Sequence, residues 1–198
     1  MKVFLLLLLV SLLSACKGSN GDVATTSTHA ATVAAPASPP IYPLALTLTD
    51  FDSASIGLDV FRGHPVVVSM FYGSCPAACP LIVSHIKEIE AALPGDVRAD
   101  LRVLLVSFDP DRDTPTALHA LADAHHVDVA RWRFATGSDD TVRQLANVLG
   151  VDYRRGEDGI FSHNSVISVL DREGRVVARS DDPSAPLDPL IAAARSTR

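Results

Sequence analysis

Apolar and polar positions along the chain predict strands and helices in alternation. Two nearly continuous apolar runs, residues 65–72 and 101–108, are typical of strands that are buried on both faces of a sheet. Between these runs Ile82, Ile86 and Ile89 recur at helical intervals, and a Pro-Gly pair ends that pattern after residue 93. The pattern therefore predicts a buried strand, a helix with an apolar stripe facing the core, and a second buried strand.

The rest of the pattern predicts one earlier strand and an alternating series of later elements. Leu44, Leu46 and Leu48 alternate with smaller residues, as in a half-buried strand. The later elements are a helix capped by Thr114, a short strand, a helix capped by Ser138, a hairpin and a last helix. They cover residues 115–125, 132–135, 139–149, 165–180 and 187–195. We expect an α/β fold with a central mixed sheet flanked by helices, mostly parallel, with the hairpin adding antiparallel pairing at one side. Its element order resembles an elaborated thioredoxin fold.

The first 16 residues predict export from the cytoplasm. Lys2 precedes an apolar stretch, residues 3–13, that is too short to cross about 30 Å of hydrocarbon, so it predicts a signal peptide. The stretch closes in Leu-Ser-Ala before Cys16, which resembles the lipobox of bacterial lipoproteins. We therefore expect residues 1–15 to be a lipoprotein signal peptide and Cys16 to carry the lipid. An ordinary signal peptide with a chance cysteine is the alternative.

The next segment predicts a flexible tether followed by one domain. Residues 16–40 are mostly Ser, Thr, Ala, Gly and Pro, a composition that buries too little apolar surface to fold. Residues 41–198 are long enough for a single hydrophobic core, so we expect one domain there. The formal net charge of −6 and the scattered basic residues argue against a nucleic-acid partner and favour a protein partner or a small cation.

The pair Cys75 and Cys79 follows the first buried strand and predicts redox or metal chemistry. In an oxidising compartment a purely structural bridge is the alternative, but a bridge that encloses so few residues removes little entropy from the unfolded chain. Pro80 suits the first position of a helix, which places Cys79 near a helix start that would lower the pKa of its thiol. Two thiolates are soft ligands, which select Cu(I) or zinc over harder cations.

The seven histidines differ in their predicted settings. His163 lies directly before the predicted hairpin, where a polar ring needs a reason to be held. His64 precedes the first buried strand at the end opposite Cys75, and the others lie in the tether, within helices or at a helix end. From the residues alone, His163 is no more than a loop histidine, so the third ligand stays open.

Four sequence blocks resemble the signature blocks of the Sco/SenC proteins, which are thioredoxin-fold copper proteins of cytochrome c oxidase assembly. The blocks are FYGSCPAACP, VSFDPDRDTP, WRFATG and FSHNSVISVLD, beginning at residues 71, 106, 132 and 161. The resemblance implies that Cys75 and Cys79 are copper thiolates and that His163 is the distal imidazole ligand.

The same resemblance leaves several residue roles open. Asp109 in the SFDP stretch and Asp113 in the RDTP stretch occupy positions that belong to the family's signature blocks. Asp113 is either a hydrogen-bond acceptor beside the ligands or a turn residue. Two residues depart from the pattern: Ala77 replaces an acidic residue between the cysteines, and Gly73 replaces a threonine. Loss of that acidic residue removes a candidate contact with a partner.

The function that the resemblance implies is that of a periplasmic copper metallochaperone anchored to the membrane by Cys16. It would deliver copper, as Cu(I) or Cu(II), to the dinuclear copper site of a cytochrome c oxidase subunit, or reduce the cysteines of that site. A periplasmic thiol reductant would then restore its own dithiol. We expect a lipoprotein on the periplasmic face of the cytoplasmic membrane.

Other functions fit the same residues. The first alternative is a thiol-disulfide oxidoreductase in which metal binding is incidental, so the sequence leaves open whether the protein is an enzyme. A redox or copper sensor and a peroxidase are further alternatives. Dependence on His163 separates the chaperone from the reductase, because dithiol exchange does not need an imidazole.

Overall fold

A computed structural model describes residues 38–75 and 78–197 of the protein, without the side chains of residues 78 and 79. The predicted signal peptide, Cys16 and residues 17–37 of the predicted tether lie outside the described residues. The oxygen of Ser38 already accepts a hydrogen bond from the backbone N–H of Val176 at 2.8 Å, three residues before the predicted start of the domain.

Within the described residues, seven strands form one mixed sheet and two more form a separate hairpin. The sheet strands are β1 (Thr47–Asp50), β2 (Ser55–Gly57), β3 (Val66–Phe71), β4 (Arg102–Ser107), β5 (Trp132–Gly137), β8 (Ile167–Leu170) and β9 (Val176–Ser180). The hairpin strands are β6 (Tyr153–Arg155) and β7 (Phe161–His163). The order across the sheet is β2-β1-β5-β4-β3-β8-β9.

The sheet is parallel only at its centre. Strands β3, β4 and β5 run parallel, whereas β1 and β2 add antiparallel pairing at one edge and β8 and β9 do so at the other. The predicted mixed sheet flanked by helices is confirmed. The expectation of a mostly parallel sheet with antiparallel pairing at one side is wrong, because β1 pairs antiparallel with β5 and so forms, with β2, a second antiparallel edge opposite β8 and β9.

The helices follow the local capping signals closely. They are α1 (Ala78–Ala92), α2 (Gly95–Asp100), α3 (Pro115–Ala124), α4 (Asp139–Leu149) and α5 (Asp188–Ser196), and a 3-10 turn covers Leu58–Phe61. The side chains of Thr114 and Ser138 accept the predicted capping bonds from backbone N–H groups three residues on. Gly150 ends α4 in the left-handed region, at a φ of 69° that glycine tolerates. In the described part of the chain, no helix is long and apolar enough to span a membrane.

Helix α1 begins two residues earlier than predicted. Pro80 is the third residue of α1 rather than the first. A proline is tolerated there because the first backbone N–H groups of a helix have no partner within it. Cys79 therefore lies inside the first turn of α1.

Buried side chains cover both faces of the sheet. Val67 and Phe71 of β3 pack with the isoleucines of α1 on one face, whereas Val66, Val68 and Met70 point into the core on the other. All six residues of β3 are buried, as predicted for a strand covered on both sides. Full burial of each of its five apolar side chains contributes about 1.5–3 kcal/mol, so this strand is a stable base for the residues that follow it.

The register of β3 brings three segments together at one end of the sheet. Phe71 at the end of β3 pairs with Ser107 at the end of β4, so the loops that follow both strands leave from the same edge. Strand β8 runs antiparallel to β3, with Ile167 opposite Ser69, so the segment before β8 reaches this edge as well. The hydroxyl of Ser69 donates to the carbonyl of Val166 at 2.5 Å and fixes this junction.

Candidate metal centre

Cys75 lies in the loop that leaves the buried end of β3. Its backbone N–H donates to the carbonyl of Tyr72 at 3.1 Å, which closes a tight turn between the strand and α1. The side chain is half-buried and packs against the hydrophobic residues of both faces of the sheet. Cys79 follows as the second residue of α1, and its side chain is not among those described. That the sulfurs of Cys75 and Cys79 lie close together stays a prediction.

His163 is the last residue of β7, a strand that the sequence pattern missed. It pairs with Tyr153 across the hairpin, and its ring is half-buried. The imidazole packs edge-on against the ring of Tyr72 with a centroid distance of 5.7 Å, and against Phe108 at 5.0 Å. The fold therefore brings His163 to the residue that begins the turn containing Cys75.

One hydrogen bond determines which nitrogen of His163 is able to bind a metal. Nδ1 lies 2.9 Å from the backbone carbonyl of Asn164. A carbonyl only accepts hydrogen bonds, so the neutral ring carries its proton on Nδ1 and keeps the lone pair of Nε2. A partner on the second nitrogen is the usual way in which proteins orient a metal-binding histidine.

Four aromatic rings form the floor beneath His163. Tyr72 and Phe108 directly follow β3 and β4, and Tyr153 and Phe161 belong to the β6–β7 hairpin. Their contacting ring centroids lie 4.9–6.2 Å apart, in stacked, tilted and edge-on arrangements. Such contacts contribute about 0.5–1.5 kcal/mol each beyond buried area. The sequence pattern missed this floor, although Tyr72, Phe108 and Phe161 lie within the sequence blocks quoted above.

Asp113 anchors the loop that contains Cys75. Its carboxylate accepts the backbone N–H of Gly73 at 2.7 Å and the hydroxyl of Ser107. Burial raises the pKa of Asp113, and the charge of nearby Asp109 adds to this, against the lowering effect of the two hydrogen bonds. Of the two roles that the sequence leaves open for Asp113, its bond to Gly73 corresponds to the acceptor role. Gly73 lies two residues before Cys75.

The described side chains alone do not make a metal site. Among them, no group of three or more His, Cys, Asp or Glu residues is arranged to hold a metal ion. Cys79 is outside that set, so the predicted trio of Cys75, Cys79 and His163 is not tested by this finding. The fold places the His163 ring against Tyr72. Tyr72 is three residues before Cys75, and Cys79 follows in the first turn of α1.

Known proteins match both the sequence and the fold. The model of the family described as SCO1/SenC matches residues 39–196. A Stutzerimonas stutzeri protein whose name describes it as copper-binding is 25% identical over 133 residues, which are 65% of this chain and 64% of that protein. The match thus spans less than two thirds of that relative.

Solved structures resemble the fold of the chain. The structure of Bradyrhizobium japonicum ScoI with copper bound gives a TM-score of 0.64 at 20% identity, covering 77% of this chain and 97% of that one. BsSco, described as a member of the Sco family of cytochrome c oxidase assembly proteins, also gives 0.64, at 21% identity over 76% and 90%. The predicted thioredoxin-like fold is confirmed. Because the family model spans nearly all the described residues, the chain belongs to the SCO1/SenC family.

Proposed function

We propose that the protein binds copper through Cys75, Cys79 and His163 and delivers it to a subunit of cytochrome c oxidase. The observation that carries this proposal is the packing of the His163 ring on Tyr72, which begins the turn containing Cys75. Two sulfurs and an imidazole with its Nε2 lone pair available form a soft donor set that suits Cu(I). Copper is the cargo in this scheme, so the site has to release it as well as hold it.

The three proposed copper ligands lie on elements that differ in how they are connected to the main sheet, which suggests an order in which they release the metal. Cys75 is attached to the buried strand β3, and Cys79 lies in the first turn of α1, where the helix dipole favours a thiolate. His163 lies on the two-stranded hairpin, which pairs with none of the strands of the main sheet among the described residues. We expect His163 to leave first, when a cysteine or histidine of the recipient takes its place on the metal.

The location of the protein is part of the proposal. The lipobox-like segment at Cys16 supports a lipid anchor, and the composition of residues 17–37 suits a flexible tether. A tether of about two dozen residues reaches roughly 25–30 Å on average, so the domain would work near the membrane surface on its periplasmic side. A periplasmic thiol reductant would keep the two cysteines reduced.

A thiol-disulfide reductase is the second candidate function. It is favoured by the position of Cys79 in the first turn of a helix that follows a buried strand of a thioredoxin-like fold. Its chemistry is attack of a thiolate on a partner disulfide, followed by resolution by the second cysteine, so that the partner is reduced and this pair is oxidised. That reaction needs both cysteines but not His163.

A titration of the reduced protein with Cu(I) in the presence of a competing chelator tests the proposal. His163→Ala should weaken copper retention by more than the roughly 10–100-fold that follows loss of an outer partner of a metal ligand. Disulfide exchange with a model substrate should stay unchanged. His119→Ala is the matched control, because His119 is an exposed histidine of α3. Unchanged copper retention in His163→Ala, with exchange lost in Cys75→Ser, would support the reductase instead.

A further inference from the structure

The loop between β4 and α3 contacts the hairpin that carries His163. Arg112 in this loop donates from Nε to Oδ2 of Asp109 at 2.5 Å and from Nη2 to the carbonyl of Gly159 at 2.6 Å. Gly159 lies in the turn between β6 and β7, four residues before His163. One guanidinium group therefore joins the end of a central strand to the turn of the hairpin.

The end of Arg112 that faces the core is firmly held. Asp109 is only 1% exposed and stands two residues after β4. Its backbone N–H donates to the hydroxyl oxygen of Ser107 at 3.0 Å. Because its acceptor is buried and attached to a core strand, the guanidinium group of Arg112 has a defined position despite being 43% exposed.

The hairpin depends on such contacts for its position. Strands β6 and β7 pair with each other but, within the described residues, with none of the strands of the main sheet. Asn164 fixes the base of the hairpin through bonds to Asp152 and Gly150. The aromatic floor gives non-directional apolar contact. The bonds from Arg112 to Gly159 and from Arg155 to Asp111, at 3.1 Å, tie the outer part of the hairpin to the loop.

We infer that Arg112 is a positioning residue for His163. It holds the hairpin so that the imidazole stays beside Tyr72 and the turn of Cys75. The inference rests on the proposed function, because it assigns Arg112 a role in copper binding through His163. The planar guanidinium serves two acceptors at a fixed angle, which the single ammonium group of a lysine does not reproduce.

A double-mutant cycle on copper affinity tests the inference. Arg112→Lys keeps the positive charge beside Asp109 but should lower Cu(I) affinity roughly tenfold, in the range for partners that orient a metal ligand. In a His163→Ala background the same substitution should cause no further loss, because the residue that it positions is gone. Arg154→Lys is the matched control: Arg154 is an exposed arginine of β6 whose side chain makes no hydrogen bond or ion pair with the described residues.

The outcomes separate this inference from the proposed function. If His163→Ala alone leaves Cu(I) affinity unchanged, the proposed ligand set fails and the inference fails with it. If His163→Ala weakens binding but Arg112→Lys does not, or weakens it equally in both backgrounds, only the inference is overturned.

Hydrogen exchange of the copper-free protein gives a second measurement that needs no metal. Arg112→Lys should speed the exchange of the amides of β6 and β7 several-fold and leave those of β3 and β4 unchanged. Unchanged exchange in the hairpin would overturn the inference, as would faster exchange throughout the domain, which would mean that Arg112 stabilises the whole fold.

Discussion

Replacing Asp113 tests whether a buried carboxylate holds the loop of Cys75. Asp113 is 5% exposed and accepts from the N–H of Gly73 and from the hydroxyl of Ser107, which is fully buried. Asp113→Ala leaves both donors without this acceptor. Asp113→Asn keeps an acceptor oxygen for Gly73 and removes the negative charge. The two variants therefore separate the hydrogen bonds from the charge.

The expected size of the effect is a balance of two contributions. A buried donor left unsatisfied costs about 1–3 kcal/mol, but Gly73 is only half-buried, so water replaces part of what its N–H loses. Burial of the carboxylate is itself unfavourable, as its raised pKa indicates, and its removal offsets part of the loss. We expect Asp113→Ala to lose about 1–3 kcal/mol of the free energy of unfolding, and Asp113→Asn less than about 1 kcal/mol.

Urea unfolding of the reduced, copper-free protein measures these differences. In a domain of this size, 1–3 kcal/mol corresponds to a fall in Tm of about 2–12 °C. Alkylation of Cys75 by iodoacetamide should become faster in Asp113→Ala, because the turn that contains it loses its anchor. Asp181→Ala is the control, since Asp181 is an exposed aspartate whose side chain has no hydrogen bond or ion pair among the described residues. Equal stability of Asp113→Ala and the unmutated protein would refute the reasoning.

The dependence on pH has a definite sign. The pKa of Asp113 is raised in the folded state, so the folded protein holds this proton more tightly than the unfolded chain does. The contribution of Asp113 to stability is therefore greatest below the ordinary aspartate pKa and falls as the pH rises through the raised value. Relative to Asp113→Asn, the unmutated protein should lose stability across that interval, and the opposite slope would contradict the assignment.

Two further predictions concern the side of the domain away from the candidate metal centre. Glu90 is buried in α1 and accepts the indole N–H of Trp132 at 3.0 Å, so Glu90→Ala leaves this buried donor unsatisfied and should cost about 1–3 kcal/mol in urea unfolding. Exposed Glu88 of the same helix is the control, and equal effects would contradict this. Burial would raise the pKa of Asp100, but hydrogen bonds from the side chains of His64 and Arg172 lower it below its usual range. The contribution of Asp100 to folding stability is therefore present above the pKa of the unfolded chain and is lost as the pH falls through the lowered value. Asp100→Asn should flatten this acid loss, by less than about 1 kcal/mol, in unfolding curves measured against pH.

Local chemistry made most of the elements predictable from the sequence. Thr114 and Ser138 act on N–H groups three residues away, so the starts of α3 and α4 follow from the sequence alone. The apolar runs that became β3 and β4 are nearly continuous, because these strands are covered on both faces. Signals of this kind do not depend on distant parts of the chain.

The elements that the sequence pattern missed depend on distant partners. Strand β6 has half-buried and exposed residues and no apolar alternation. It forms because its backbone pairs with that of β7, with Tyr153 opposite His163. Strand β2, which the pattern also missed, pairs with β1, and β1 joins the sheet through β5, far along the chain. Short strands of this kind are specified by pairing rather than by propensity.

The sequence by itself determined the cysteine pair, its place after a buried strand and, through family resemblance, the choice of His163. Only the tertiary structure decided that His163 lies against Tyr72, which begins the turn that contains Cys75. Strand β8 runs antiparallel to β3, so its beginning lies beside the end of β3, and a residue 88 positions after Cys75 is carried to the same edge of the sheet. Pairing between distant strands sets that placement, and no local pattern in the chain encodes it.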